Sequence, residues 1–430
     1  MGLRKYVVAL IFSVLISGTL LGCSSEQNLV FNTNREDVHT QTDLTFFGFK
    51  YEALNVKAIE DALHGYMEQH TDINISYDGI KSPDYYDILN KRLSTGNGDD
   101  IFMVDHARTL ELTSQGKLAD LSGLSTLDNF STLAKSQMSA NGKIEYLPTS
   151  ISAFGLYCNI DMLKRHGQRI PENLAEFEAV CDYFVSKGIT PIVSNDDISL
   201  KTVVLARALL PVYQAENMPD RIADFNNRKT DLAEALRPGF DLVEQMLKRG
   251  WVNAEEALHT AKTKDDLVIF SGGERPFMLT GAWATPRLRE LDPDFRFEVH
   301  SYPIMEDGSV LVINVDTRVS VNAESPHVEE AKRFVEYLTQ KDVMWEFVNS
   351  QCSFTPLEEN RLAEDEAIQS IGPYLTNGRS VLGSDDNLLF PIWDMTRQCT
   401  AGMLKGDDAQ AAVYNMKRQL NQWRNEKAEG

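Results

Sequence analysis

The chain has 430 residues, with 63 acidic side chains against 42 basic ones and a formal charge of −21. A surface that acidic repels phosphate backbones and anionic lipid heads, which argues against nucleic acid as a partner. Apolar residues make up 43%, enough for a packed interior, and the length exceeds what one core usually supports, so two lobes are expected.

At the N-terminus, Arg4 and Lys5 precede an apolar run from Val7 to Leu21. A basic head, a short apolar core and a small residue before the cut follow the order of a secretory signal. The core is shorter than the roughly 20 residues that span a bilayer. Leu20-Leu21-Gly22-Cys23 resembles the bacterial lipobox, in which the signal is removed and the new N-terminal cysteine is lipidated. The resemblance implies a lipoprotein signal peptide over 1–22, lipidation of Cys23 and a membrane anchor. The plain alternative is an ordinary secretory signal with an incidental cysteine. Residues 23–42 are polar and read as a flexible tether.

From Asp43 the pattern changes. Leu44-Thr45-Phe46-Phe47 predicts a strand ending near Gly48, and Val56, Ile59, Leu63, Tyr66 and Met67 recur at helical spacing. Ile73 to Tyr77 alternates as a strand, Asp84 to Ser94 reads as a helix, and Asp100 to Val104 as a third strand. Strand, helix, strand, helix, strand predicts a parallel or mixed α/β sheet. Helices are expected over Ala175–Lys187, Lys201–Leu210 and Leu232–Lys248. Strands are expected over Ile189–Val193, Phe277–Leu279 and Phe295–Val299. Ser325-Pro326 places an N-cap before a proline at the first helical position. Val328, Ala331, Phe334, Val335 and Leu338 form the stripe of that helix, and Val413, Met416, Leu420 and Trp423 form a last one.

Chemistry-bearing motifs are scarce. Cys158, Cys181, Cys352 and Cys399 are widely separated without CxxC spacing and are expected to be mostly buried free thiols. No HExxH, GxSxG, Walker A or EF-hand pattern occurs. No catalytic residue, metal site or cofactor is therefore assigned.

A collinear series of segments carries a resemblance. Gly98-Asp99-Asp100-Ile101-Phe102 comes first, then Gly116 to Leu121, Tyr146-Leu147-Pro148, Gly155 to Asn159 and Pro171 to Phe177. Phe270-Ser271-Gly272-Gly273, Gly281-Ala282-Trp283 and Trp393 to Gly406 follow. Together they resemble the extracellular solute-binding proteins of ABC importers, in the carbohydrate-binding group that includes maltose-binding protein. Several family positions differ: the proline before Asp100 is missing, and Cys158 stands where an aromatic is usual.

The resemblance implies a two-lobed periplasmic-binding-protein-like α/β fold with a hinge and a ligand cleft. Lobe one is placed at 43–156 and 305–350, lobe two at 157–304 and 351–430. It further implies a monomer that takes a carbohydrate ligand, closes, and docks on ABC permease subunits at the outer face of the membrane, with no enzymatic activity. Sugars present apolar C–H faces to aromatic rings and hydroxyls to planar polar groups. On that pattern Trp283 is the first stacking candidate, Trp393 the second, with Arg397 one turn later on the same face. In lobe one Phe49 and Lys50 follow the first strand, and Asp105 and Arg108 follow the third. Ser152 lies in the segment crossing to lobe two. Each has a plainer reading: a core tryptophan, a surface arginine, a solvated loop. A peptide, polyamine or other cationic solute, or a sensory role, uses the same kind of cleft, and the sequence does not separate them.

Overall fold

The computed structural model describes residues 30–31, 41–81, 84–140, 142–359 and 361–429. The signal peptide, Cys23 and most of the expected tether lie outside the described residues. Among the described residues, no helix is long and apolar enough to cross a membrane.

The strands in chain order are β1 (Val30–Phe31), β2 (Thr42–Gly48), β3 (Ile73–Gly79), β4 (Ile101–Val104), β5 (Ser139–Ala140), β6 (Lys143–Ile144) and β7 (Leu147–Asn159). Then come β8 (Ile192–Val193), β9 (Phe277–Gly281), β10 (Phe297–His300), β11 (Tyr302–Met305), β12 (Gly308–Val321) and β13 (Ser380–Leu382). One sheet runs in the order β1-β3-β2-β4-β12-β7-β9-β8, with β10 on β7 and β11 and β13 on β12. It is mixed, as expected. β2 pairs parallel with β3 and β4, while β12 pairs antiparallel with β4 and β7.

β7 and β12 are the long members, and they cross from one half to the other. The C-terminal half of β12 pairs with β4, Val319 opposite Met103. The C-terminal half of β7 pairs with β9, Leu156 opposite Leu279. Their own pairing, from Val312–Phe154 to Val319–Leu147, holds the halves together. Thr317 sits in the left-handed region (φ 48°) on this crossing, and its carbonyl accepts from the Thr149 hydroxyl at 2.6 Å. Such a backbone costs about 1–3 kcal/mol and persists only where its surroundings hold it.

Alternation along these strands divides the core. Ile151, Ala153 and Tyr157 join one apolar cluster, which runs through the first lobe and behind the crossing strands. Phe154, Leu156 and Cys158 join a second, on the other face of the second lobe's sheet. The stripe Val56, Ile59, Leu63, Tyr66, Met67 is buried in the helix Ala53–Gln69, and β3 alternates as its sequence does. Residues near 350–375 straddle the halves. Phe354 bridges to Ile151 and Leu357 to Phe130, whereas Ser370 donates to the Val299 carbonyl. This segment thus touches residues of both expected lobes.

Three local expectations change. The helix over 232–248 divides at Leu236 into Leu232–Ala235 and Arg237–Lys248, because Pro238 cannot donate within a continuous helix and instead starts a new one. The strand at 189 shrinks to Ile192–Val193, since the Ile189 amide is spent on the Phe184 carbonyl closing the preceding helix. Ser325 does not cap the helix, which begins at Val328. Its hydroxyl accepts from the His327 amide and donates to Asp100. All four described cysteines are buried free thiols, as expected.

Candidate functional site

The C-terminal ends of β2 and β4 in one half and of β8 and β9 in the other converge on the crossing strands. Loops at such ends are where α/β sheets bind ligands.

On the second lobe, β9 ends at Gly281, opposite Phe154 of β7. The next turn, Ala282–Ala284, lays Trp283 back across the glycine. A Cβ on Gly281 would lie 2.2 Å from the indole, so only glycine admits this approach. Trp393, near the start of helix Ile392–Leu404, uses the same device on Gly383, where a Cβ would meet its ring at 2.4 Å. The two tryptophans, far apart in sequence, meet the same ring. Trp283 stands edge-on to Phe154 at 5.1 Å between centroids, and Trp393 is tilted against it at 5.0 Å. Both indoles are half-buried while Phe154 is buried. Lys201 was not singled out from the sequence. Its ammonium sits 4.0 Å from the centre of the Trp393 ring and 2.7 Å from Asp197, with 1% of the side chain exposed. Burial pushes its pKa down to about 8 despite Asp197. Asp197 responds oppositely: burial raises it, but Lys201 and Lys262 outweigh that and hold it well below the usual carboxylate range. A lysine amid the apolar run Leu200–Leu205 was the available signal.

Arg397 is exposed and makes no ion pair among the described residues. Asp394, one turn before it, is raised by burial and by Asp105 from the other lobe, against the pull of Lys201 and Arg397. Asn195 is buried and spends its side chain on the Asp197 and Ile198 amides, a capped loop.

The first lobe's candidates are more occupied. Asp105 caps helix His106–Ser114, accepting from the Arg108 amide at 2.8 Å. Arg108 pairs with Glu111 and lies over Tyr86 at 5.2 Å. Phe49 is half-buried, edge-on to Tyr85 at 5.6 Å, with the Lys50 ammonium 5.9 Å from its ring. Phe47 is fully buried core. Ser152 lies between the lobes on β7, buried, donating to Asp316 at 3.3 Å.

Side-chain contacts beyond the sheet also cross between the lobes. Arg287 Nη2 donates to Glu52 Oε1 at 2.9 Å. Behind the cleft, Asp386 Oδ1 forms ion pairs with Arg318 and with His106 Nδ1, each at 2.6 Å, and Oδ2 accepts from the Tyr146 hydroxyl. His106 Nε2 lies 3.2 Å from the Leu388 carbonyl. Arg318 is 3% exposed, and its charge is held by Asp386 despite burial. Other cavities, about 310 Å³ beside Trp345 and about 630 Å³ beside Arg379, are lined by different segments.

Two α/β lobes sharing one sheet through a pair of crossing strands, with half-buried aromatics at the crossing, define a cleft-type binding protein. The bacterial extracellular solute-binding protein family matches residues 61–370, and the chain belongs to that family. An extracytoplasmic location follows from it. The multiple sugar-binding protein of Streptococcus mutans is 22% identical over 289 residues, covering 66% of this chain and 68% of the relative. RafE of Streptococcus pneumoniae, in its ligand-free form, superposes with a TM-score of 0.71 at 20% identity over 90% of this chain and 99% of its own. A RafE structure holding raffinose gives 0.69 at 22% identity, over 89% and 99%. A Bacillus licheniformis sugar transporter holding stachyose gives 0.65 at 18%, over 88% and 98%.

Proposed function

We propose that the chain is a lipid-anchored solute-binding protein that captures a carbohydrate in the cleft and delivers it to the permease of an ABC importer. It performs no chemistry. The observation that carries this is the row Trp283–Phe154–Trp393 at the crossing strands. Flat apolar faces held half-open beside charged and amide groups are what a sugar ring requires, stacking on its C–H face while hydroxyls find planar partners. Lys201, Asp394, Arg397, Asp105 and Arg108 supply those partners, with Phe49 and Lys50 at the first lobe's edge and Ser152 at the hinge. The sugar-binding relatives support the ligand class. The hinge in this reading lies where β7 and β12 pass each other, near Ala153–Phe154 and Asn314–Thr317. The closed state is favoured because a ligand there touches both lobes. Cys23 carries the lipid, and Cys23→Ala is expected to release the chain from membranes into the medium.

The competing ligand is a polyamine, which the acidic charge of the chain favours. Thermal melts and calorimetry with raffinose, stachyose, monosaccharides, spermidine and short peptides decide between them. A sugar at about a hundred times its Kd adds roughly 2.7 kcal/mol of stability. A shift with sugars that vanishes in Trp393→Ala supports the carbohydrate reading. A shift with spermidine alone, insensitive to that substitution, overturns it.

A further inference from the structure

The aromatic faces of Trp283, Phe154 and Trp393 suit two classes of ligand. They stack on the C–H face of a sugar, and they attract cations, quaternary ammonium groups above all. The chain's charge of −21 draws cations toward its surface, so the cleft meets both classes. What separates them lies behind one of the rings. We infer that Lys201 is a specificity-determining residue: seated on the closed face of Trp393, it makes the open face of that ring a platform for neutral ligands and a poor one for cations. The inference rests on the reading above, in which the cleft around these rings is the ligand site.

The geometry carries it. The Lys201 ammonium lies 4.0 Å from the centre of the Trp393 ring, and 1% of the side chain is exposed. The face it covers is closed to solvent. One edge of the ring is closed as well, laid on Gly383. The exposure that half-buried Trp393 keeps therefore falls on its other face and remaining rim. Both faces share one π system. A cation on one side draws the ring's electrons toward itself, and a second would stand roughly 8 Å from it, across an indole instead of water. A sugar's C–H face is neutral and holds the ring largely by dispersion, which the ammonium does not weaken.

Charge balance alone does not account for this lysine. Lys201 Nζ donates to Asp197 Oδ1 at 2.7 Å, but Lys262 already meets Oδ2 of the same carboxylate. Burial pushes the Lys201 pKa down to about 8, with Lys262 adding to the fall and Asp197 and Asp394 opposing it. A buried cation held against its own titration costs stability, and a methionine would fill the same room without that cost. The other charged groups around it are Asp196, on the loop before its helix, and Arg397, on the helix of Trp393. At neutral pH the ammonium under the ring is charged, and the ring it supports refuses a second cation.

The test is calorimetry on the full-length chain in detergent, with raffinose, stachyose and choline, whose quaternary charge does not titrate. Wild type, Lys201→Met and Lys201→Arg are compared at pH 7 and pH 9.5, after melting curves without ligand establish folding. At pH 7 the expected choline Kd in Lys201→Met is roughly tenfold below that of wild type, the scale of one cation–π contact, while the sugar Kd moves less than about threefold. Adding Trp393→Ala to Lys201→Met abolishes the gain, because it passes through the ring. Lys201→Arg, which keeps the cation, keeps the wild-type preference. In wild type, pH 9.5 discharges the ammonium and brings the same gain for choline, and Lys201→Met shows no such change; the wild-type arm decides if Lys201→Met fails to fold. Choline affinity that is equal in wild type and Lys201→Met, or that is unchanged in wild type between the two pH values, overturns the inference and leaves the carbohydrate reading standing where the sugars bind. A gain that survives without Trp393 overturns it too. A gain for choline through Trp393, with no sugar bound by wild type, supports the role of Lys201 and overturns the carbohydrate reading.

Discussion

The two walls of the cleft are built differently. The second lobe presents Trp283 and Trp393, each laid on a glycine and wedged against Phe154, with rings half in solvent. The first lobe presents polar groups already engaged with their own helix: Asp105 in a cap, Arg108 on Glu111. Aromatic area costs little entropy to hold in place and is available to a ligand at once, whereas a paired charge must first give up its partner. In the proposed carbohydrate reading, the contrast gives the larger share of affinity to the second lobe and leaves orientation and closure to the first.

The largest effect bears on what keeps the walls opposed. Asp386→Ala leaves Arg318 and His106 buried without their carboxylate, a loss of about 3–5 kcal/mol. Urea melts are expected to show it as a lower midpoint; an unchanged midpoint means the network does not join the halves. Next, Trp393→Ala and Trp283→Ala are expected to cost about 2 kcal/mol of binding each, roughly thirtyfold in Kd. Arg108→Ala, by contrast, is expected to cost less than about 1 kcal/mol, because its charge is shared with a partly exposed Glu111. Should Arg108→Ala cost as much as either tryptophan, the contrast between the walls fails.

The Lys201 prediction is the subtlest. Its pKa is lowered from 10.5 to about 8 by burial, so between those values the unfolded chain binds the proton and the folded chain does not. Stability therefore rises with pH across that window, and Lys201→Met is expected to flatten the rise. Tryptophan emission should step near pH 8 as the cation over Trp393 discharges, and the step should be absent in Lys201→Met.

Much of this was legible along the chain. The stripe of Ala53–Gln69, the alternation of β3 and the stripe Ala331, Phe334, Val335, Leu338 all follow from local period, since burial on one face repeats at 3.6 or 2 residues. Misreadings arose where a backbone group had a better partner nearby: Ile189 closing a helix, Ser325 held by Asp100. Of the site, the two tryptophans were reached through resemblance and glycine context. Lys201, Glu52 and Asp394 were missed, because a charge on or beside a helix looks the same in sequence whether it meets water or a distant partner.

What the sequence determined by itself is many of the helices and the first lobe's strands, the mixed α/β class and the family, because period, turn chemistry and motif order are local or collinear properties; the long strands β7 and β12 were not among its expectations. What only the tertiary structure decided is which distant residues share a surface. Phe154 gathers Trp283 and Trp393, Arg287 reaches Glu52, and Asp386 collects His106, Arg318 and Tyr146. These meetings depend on the crossing of β7 and β12, which brings together side chains far apart along the chain, and no local pattern encodes a distance of that kind.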